Sequence, residues 1–117
     1  DLKERHGSQF RNELAVMAEY CRSINARFVF VYWPSRTLLH HQELTRLRAV
    51  LSDWCCELDI AFVDTTDAFL ASRAPDLYFD TVDAGVAGYR LIAEMVLKEQ
   101  FVAAGQPLGL FPSNQVD

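Results

Sequence analysis

Apolar residues recur at helical spacing, three or four positions apart, in three parts of the chain. The first run predicts an amphipathic helix over 8–25 with Ser8 as its N-cap, and the second predicts a helix over 41–58. A third run begins near residue 90 and predicts a helix that ends near Gly105. The apolar positions of the first two runs are Phe10, Leu14, Met17, Cys21 and Ile24, then Leu44, Leu47, Leu51, Trp54 and Leu58.

Two short segments between these helices are typical of β-strands. Residues 27–33 and 60–63 are apolar at nearly every position, which predicts parallel strands buried on both faces. A short helix over 67–72 follows, with Thr66 as its cap and Pro75 preventing its continuation. Helix and strand therefore alternate along the chain, and we expect an α/β fold with right-handed connections.

Composition agrees with one globular domain, since 50% of the 117 residues are hydrophobic. We expect the domain to cover 1–105, followed by an irregular tail over 106–117. Only two strands are identifiable, and an apolar pair would leave its edges open. We therefore expect the sheet to be completed by another chain or by self-association into a homo-oligomer.

Charge and hydropathy narrow the choice of partners. The 16 acidic residues outnumber the 11 Lys and Arg, for a net charge of -5, and no basic run occurs, so we expect no nucleic-acid partner. The longest apolar stretch, 28–33, is far shorter than the roughly 20 residues of a membrane span, so we expect no membrane partner.

The chain begins without Met, and we expect it to be a processed or excised piece. Three cysteines do not form a disulfide framework; we expect buried thiols, and the compartment stays open.

The stretch 76–94 resembles the last conserved block of the SGNH (GDSL-type) hydrolases. The matching residues are Leu77-Tyr78-Phe79, Ala87-Gly88-Tyr89 and Arg90-Leu91-Ile92-Ala93. The resemblance implies a flavodoxin-like, three-layer parallel α/β sheet, of which this chain would supply the carboxyl-terminal half. It also implies an esterase or O-acyltransferase that acts on small esters or acylated carbohydrate without a cofactor.

The chain departs from the family pattern at the positions of the catalytic residues. Asp83 occupies the position of the family's catalytic His. Asp80 is the better match to its catalytic acid, and Thr81 is the alternative. The Gly-Asp-Ser nucleophile block and the Gly-x-Asn-Asp block do not occur, so the resemblance implies a chain that is inactive as it stands. Ser35 and Arg36 follow a strand, in a turn similar to one in SGNH proteins of exopolysaccharide acetylation, which implies substrate binding there.

Several other interpretations stay open. Asp83 could act as a weak base, and Ser35 could be a nucleophile because it directly follows a strand. A noncatalytic α/β binding or assembly module is a second class of function. A third is a Mg²⁺ or Ca²⁺ site built from acidic residues that follow the second strand, although their spacing fixes no ligand set. Those residues are Asp64, Asp67, Asp76, Asp80 and Asp83.

Overall fold

The described residues form a mixed α/β structure with four helices and a small two-stranded parallel sheet. The computed structural model describes residues 2–103, so the predicted tail over 106–117 and the helix end near Gly105 lie outside the described residues. The elements are α1 Leu2–Ser23, β1 Val29–Tyr32, α2 Leu44–Glu57, β2 Ala61–Asp64, α3 Thr66–Ala71 and α4 Val86–Ala103. The predicted alternation of helix and strand is confirmed. None of the helices within 2–103 is both long and apolar enough to cross a membrane.

The two strands pair in parallel and in register, as the sequence predicts. The paired residues are Val29 with Ala61, Phe30 with Phe62, Val31 with Val63, and Tyr32 with Asp64. Because side chains alternate along a strand, Phe30 and Phe62 lie on one face of the sheet and Val31 and Val63 on the other. All four residues of β1 and three of the four in β2 are partly exposed, so the prediction of strands buried on both faces is wrong for both strands.

Each face of the sheet carries a separate core. Phe30 and Phe62 pack against a buried cluster formed by Leu14 and Ala18 of α1, Cys55 of α2, and Ile60, which precedes β2. Val31 packs with a second cluster, formed by Leu39, Phe69, Leu77, Tyr78, Ala84 and Ile92. The second cluster contains residues on both sides of α3 and of the loop before α4. This loop is therefore part of the folded core.

Two helices end in the same way, with a non-glycine residue in the left-handed conformation. Asn25 and Asp59 both have φ of 56°. Beyond them, the Ala26 amide donates to the Cys21 carbonyl and the Ile60 amide donates to the Cys55 carbonyl, each at 2.8 Å. These bonds satisfy carbonyls that the last helical turn leaves free, and they direct the chain into each strand. Asn and Asp tolerate this conformation better than most residues.

Helix starts differ from the sequence predictions. α1 begins at Leu2, so Ser8 lies inside the helix and its prediction as an N-cap is wrong. Lys3, Glu4 and Arg5, which follow Leu2, are good helix formers. Thr66 is likewise the first residue of α3, where it was predicted as the cap. The N-cap position is Thr65, whose side chain makes no capping bond. Asp64, one residue earlier, instead satisfies the helix start, since its Oδ1 accepts hydrogen bonds from the Thr66 amide at 3.0 Å and hydroxyl at 2.6 Å.

Candidate functional site

The segment between α3 and α4 forms a closed turn, which we call the aspartate loop (residues 77–85). Tyr78 and Ala84 form an isolated antiparallel bridge. The Gly85 amide donates a 2.9 Å hydrogen bond to the Leu77 carbonyl and closes the base of the loop. The four residues between Phe79 and Ala84 are held at the tip, and both candidate aspartates belong to them.

Two contacts attach the aspartate loop to the chain that leaves β1. The Tyr78 hydroxyl donates to the Pro34 carbonyl at 2.6 Å, and the Arg36 amide donates to the Thr81 carbonyl at 2.8 Å. The Arg36 guanidinium also lies over the Tyr78 ring, 5.6 Å from its centre. The loop is thus placed beyond the carboxyl end of β1. Open parallel sheets bind ligands at this edge.

Glycines fix the junction of the loop with α4. A Cβ on Gly85 would lie 2.2 Å from the Asp76 carbonyl oxygen, and one on Gly88 would lie 2.3 Å from the Leu77 carbonyl oxygen. Both distances are far inside van der Waals contact with backbone atoms. Close packing of backbone against backbone therefore accounts for glycine at these two positions of the family-like stretch.

Asp80 and Asp83 lie together at the tip. The Asp80 carboxylate accepts the Asp83 amide at 2.6 Å and the Val82 amide at 2.9 Å. The Asp83 amide, followed by the Val82 amide, lowers the pKa of Asp80 below its ordinary value, because both bonds favour the charged form. The negative charge of Asp80 raises the pKa of Asp83. The tip is therefore an ionised Asp80 beside a more basic Asp83, both exposed to solvent.

Ser35 begins a turn and is engaged within it. Its Oγ accepts the Leu38 amide at 3.2 Å, and its carbonyl accepts the Leu38 and Leu39 amides. Within residues 2–103, no hydrogen bond joins Ser35 to Asp80 or Asp83. The next residue, Arg36, is the one that contacts the aspartate loop. The structure thus brings Arg36 to the candidate site and leaves Ser35 without a base.

The five aspartates proposed as a metal site do not converge. Asp64 accepts Arg48 Nε at 2.6 Å, and Asp67 lies 3.3 Å from the same guanidinium. Asp80 is engaged by the amides of its own loop. Across the described part of the chain, no group of three or more His, Cys, Asp or Glu side chains could hold a metal ion. The hypothesis of an acidic metal site is therefore wrong for these residues.

Sequence reasoning assigned no role to two polar residues that organise this region. Tyr78 was matched only as part of a motif, yet its hydroxyl joins the loop to Pro34. Arg48 binds the Asp64 carboxylate, which accepts the Thr66 amide at the start of α3. The sequence does not predict this ion pair, because Arg48 lies four residues after Leu44 in an amphipathic helix and Asp64 is 16 residues away.

Comparisons with known proteins do not test the resemblance to the SGNH hydrolases. No protein-family profile matches the sequence, and no curated protein is significantly similar to it. The likeness to SGNH hydrolases thus depends on the aspartate loop, the start of α4 and the turn after β1.

Proposed function

We propose that the chain is the carboxyl-terminal half of an SGNH-like esterase or O-acyltransferase domain, and that it does not turn over esters by itself. In this proposal its sheet is completed on a flavodoxin-like plan by strands of an amino-terminal half. That half would carry the nucleophile and the oxyanion-hole donors. The substrates would be small esters or acylated carbohydrate.

The observation that carries the proposal is the position of the aspartate loop. In α/β enzymes, working residues follow the carboxyl ends of parallel strands. Tyr78 and Arg36 hold the loop that carries Asp80 and Asp83 against the end of β1, which supports the proposal that these residues occupy the acid and base positions. The close-packed glycines support the same proposal, because any side chain at these two positions would clash with backbone atoms in this loop geometry.

The chemistry of the tip supports an inactive chain. Acyl transfer by a serine needs a base that takes the hydroxyl proton, commonly a His with a pKa near 6.5. A carboxylate is a much weaker base at neutral pH, although the negative charge of Asp80 raises the pKa of Asp83. The side chain of Ser35, the candidate nucleophile, accepts a hydrogen bond within its own turn.

The first test is intact-mass analysis after incubation with a fluorophosphonate, which reacts with activated serines. We expect no mass gain and no hydrolysis of p-nitrophenyl acetate above the buffer rate. A stoichiometric adduct, mapped by peptide sequencing, would overturn the inactive assignment and identify the nucleophile.

A second test addresses the family assignment. The chain would be co-expressed with an amino-terminal SGNH half that carries a Gly-Asp-Ser block. We expect a complex whose esterase activity requires Asp83→His and is lost when Asp80→Ala is added. A folded complex that stays inactive with Asp83→His would contradict the assignment of these two positions.

A noncatalytic assembly module is the second candidate, because α1 presents an uncovered apolar face. Met17 and Tyr20 of α1 and Ile24, which directly follows the helix, lie three and four residues apart, and at least half of each residue is exposed. Such a face on one helix is typical of association surfaces. The occupant that we propose for it is a second copy of this chain, because two copies could also pair the open edges of their sheets.

Light scattering after size exclusion separates the two candidates. A dimer that Tyr20→Glu dissociates would favour the assembly module, with Val102→Glu as control, since Val102 is equally exposed on α4. A monomer at high concentration would favour a half-domain that needs a different partner.

A further inference from the structure

A pocket of about 430 Å³ lies between the turn after β1 and the segment after α3. Its floor is apolar and includes Leu39, Phe69 and Leu77, each less than 10% exposed. The volume is within the range of small-molecule sites. The pocket shares Arg36 and Tyr78 with the candidate site, but neither of the candidate aspartates lines it.

The rim of the pocket carries two cationic side chains, Arg36 and Arg73, and no acidic residue lines the pocket. This distribution stands out in a chain whose net charge is -5. The positive charge of Arg36 helps to lower the pKa of Asp80. The Arg36 guanidinium donates a 3.5 Å hydrogen bond to the Tyr78 carbonyl and lies over the Tyr78 ring, and its other N–H groups can bind an anion.

Free arginines are uncommon elsewhere in the described structure. Of the eight arginines with described side chains, five lie within 4 Å of a carboxylate, namely Arg11, Arg22, Arg27, Arg46 and Arg48. Three have no such partner, and two of these three, Arg36 and Arg73, line this one pocket. The third, Arg90, lies on α4 outside the pocket lining. Guanidinium groups bind carboxylate and phosphate through paired, charge-assisted hydrogen bonds.

We propose that this pocket binds a small organic anion with an apolar part. Its carboxylate or phosphate would contact Arg36 and Arg73, and its hydrocarbon part would lie on Leu39, Phe69 and Leu77. The two arginines supply the charge selectivity, and the buried floor supplies the affinity for the apolar part. The site does not depend on whether the aspartate loop ever takes part in acyl transfer.

The test uses hexanoate and hexyl phosphate as anionic probes and hexan-1-ol as the neutral probe. Amide chemical shifts of the labelled protein are followed by NMR during each titration. We expect saturable shifts at 36–40 and 72–78, with a dissociation constant on the order of 1 mM for at least one anion. The tighter anion identifies the headgroup. Hexan-1-ol should bind at least about tenfold more weakly, because it cannot pair with a guanidinium.

Three matched variants identify which arginines bind the anion. Arg73→Gln and Arg36→Gln should each weaken anion binding about tenfold or more, which is the lower end of the range for a lost hydrogen bond to a charged group. Arg90→Gln removes the same charge outside the pocket and should leave binding unchanged. Arg73 is exposed and forms no hydrogen bond or ion pair within the described residues, so its variant should fold normally. Equal binding of hexan-1-ol, equal weakening by Arg90→Gln, or no saturable binding would overturn the proposal.

Discussion

The hydroxyl of Tyr78 donates a 2.6 Å hydrogen bond to the backbone carbonyl of Pro34, 44 residues earlier in the chain. Both residues are buried, and burial is the main cause that raises the pKa of Tyr78 to about 12. The hydroxyl therefore stays protonated, and can donate, throughout the neutral and mildly alkaline range. This single bond couples the loop that carries both candidate aspartates to the end of β1.

Removing the Tyr78 hydroxyl should destabilise the fold. We expect Tyr78→Phe to lower the free energy of unfolding by about 1–2 kcal/mol, because the buried Pro34 carbonyl would lose its donor. The measurement is urea denaturation followed by tryptophan fluorescence, since Trp33 is next to Pro34 in the chain.

Tyr32→Phe is the matched control for this change. The Tyr32 hydroxyl is buried and has no hydrogen-bond partner in the described structure, so its removal should be neutral or slightly stabilising. Equal losses of stability in the two variants would show that ring packing, and not the bond to Pro34, holds the loop.

Glycine substitutions should separate close packing from helix propensity. Gly88→Ala should cost about 1–3 kcal/mol, because the new Cβ would meet the Leu77 carbonyl oxygen at 2.3 Å and Leu77 belongs to the core. Gly7→Ala should instead stabilise by about 0.5–1 kcal/mol, since Gly7 lies within α1 and its nearest neighbour, Trp54, is 3.9 Å away. Thermal melts of both variants provide the comparison. A neutral Gly88→Ala would contradict the packing at the start of α4.

Periodicity was sufficient to predict the elements and their order. The apolar spacing in α2 and the unbroken apolar strands are local signals, and both elements formed where the sequence predicted them, within a few residues. Helix starts were less predictable, because caps depend on long-range or neighbouring side chains. At the start of α3, the Asp64 carboxylate accepts the Thr66 amide, and an ion pair with Arg48 holds that carboxylate in place.

The candidate site was predictable only in part. The motif located Asp80 and Asp83 in one loop, and the structure places them at its tip. The bond between Tyr78 and Pro34 was not predictable, because no sequence pattern relates two residues so far apart. The metal hypothesis failed because it assumed that aspartates close together in the sequence after β2 are also close in space. The fold does not bring the five aspartates together.

Thiol reactivity should distinguish two adjacent cysteines. Cys55 is 1% exposed, and burial raises the pKa of its thiol, whereas Cys56 is exposed on the outer side of α2. The sequence-based prediction of buried thiols is therefore wrong for Cys56. We expect iodoacetamide to alkylate Cys56 in the native protein and to reach Cys55 only in denaturant. Peptide mass spectrometry provides the measurement, with Cys56→Ser as the control, and native labelling of Cys55 at a similar rate would contradict the packing of α2.

The two aspartates at the loop tip should titrate apart. We expect carboxyl NMR shifts to give a pKa below the ordinary 3.8 for Asp80 and above it for Asp83. Asp80 therefore contributes stability that is present above its unfolded pKa and is lost as the pH falls through its folded pKa. Asp83 has the opposite sign, and its contribution is lost as the pH rises through its raised pKa. In Asp80→Asn the pKa of Asp83 should return towards 3.8, because the neighbouring negative charge is gone. An unchanged pKa of Asp83 in that variant would show that the two carboxylates do not interact, and the acid and base positions proposed for them would then have no electrostatic basis.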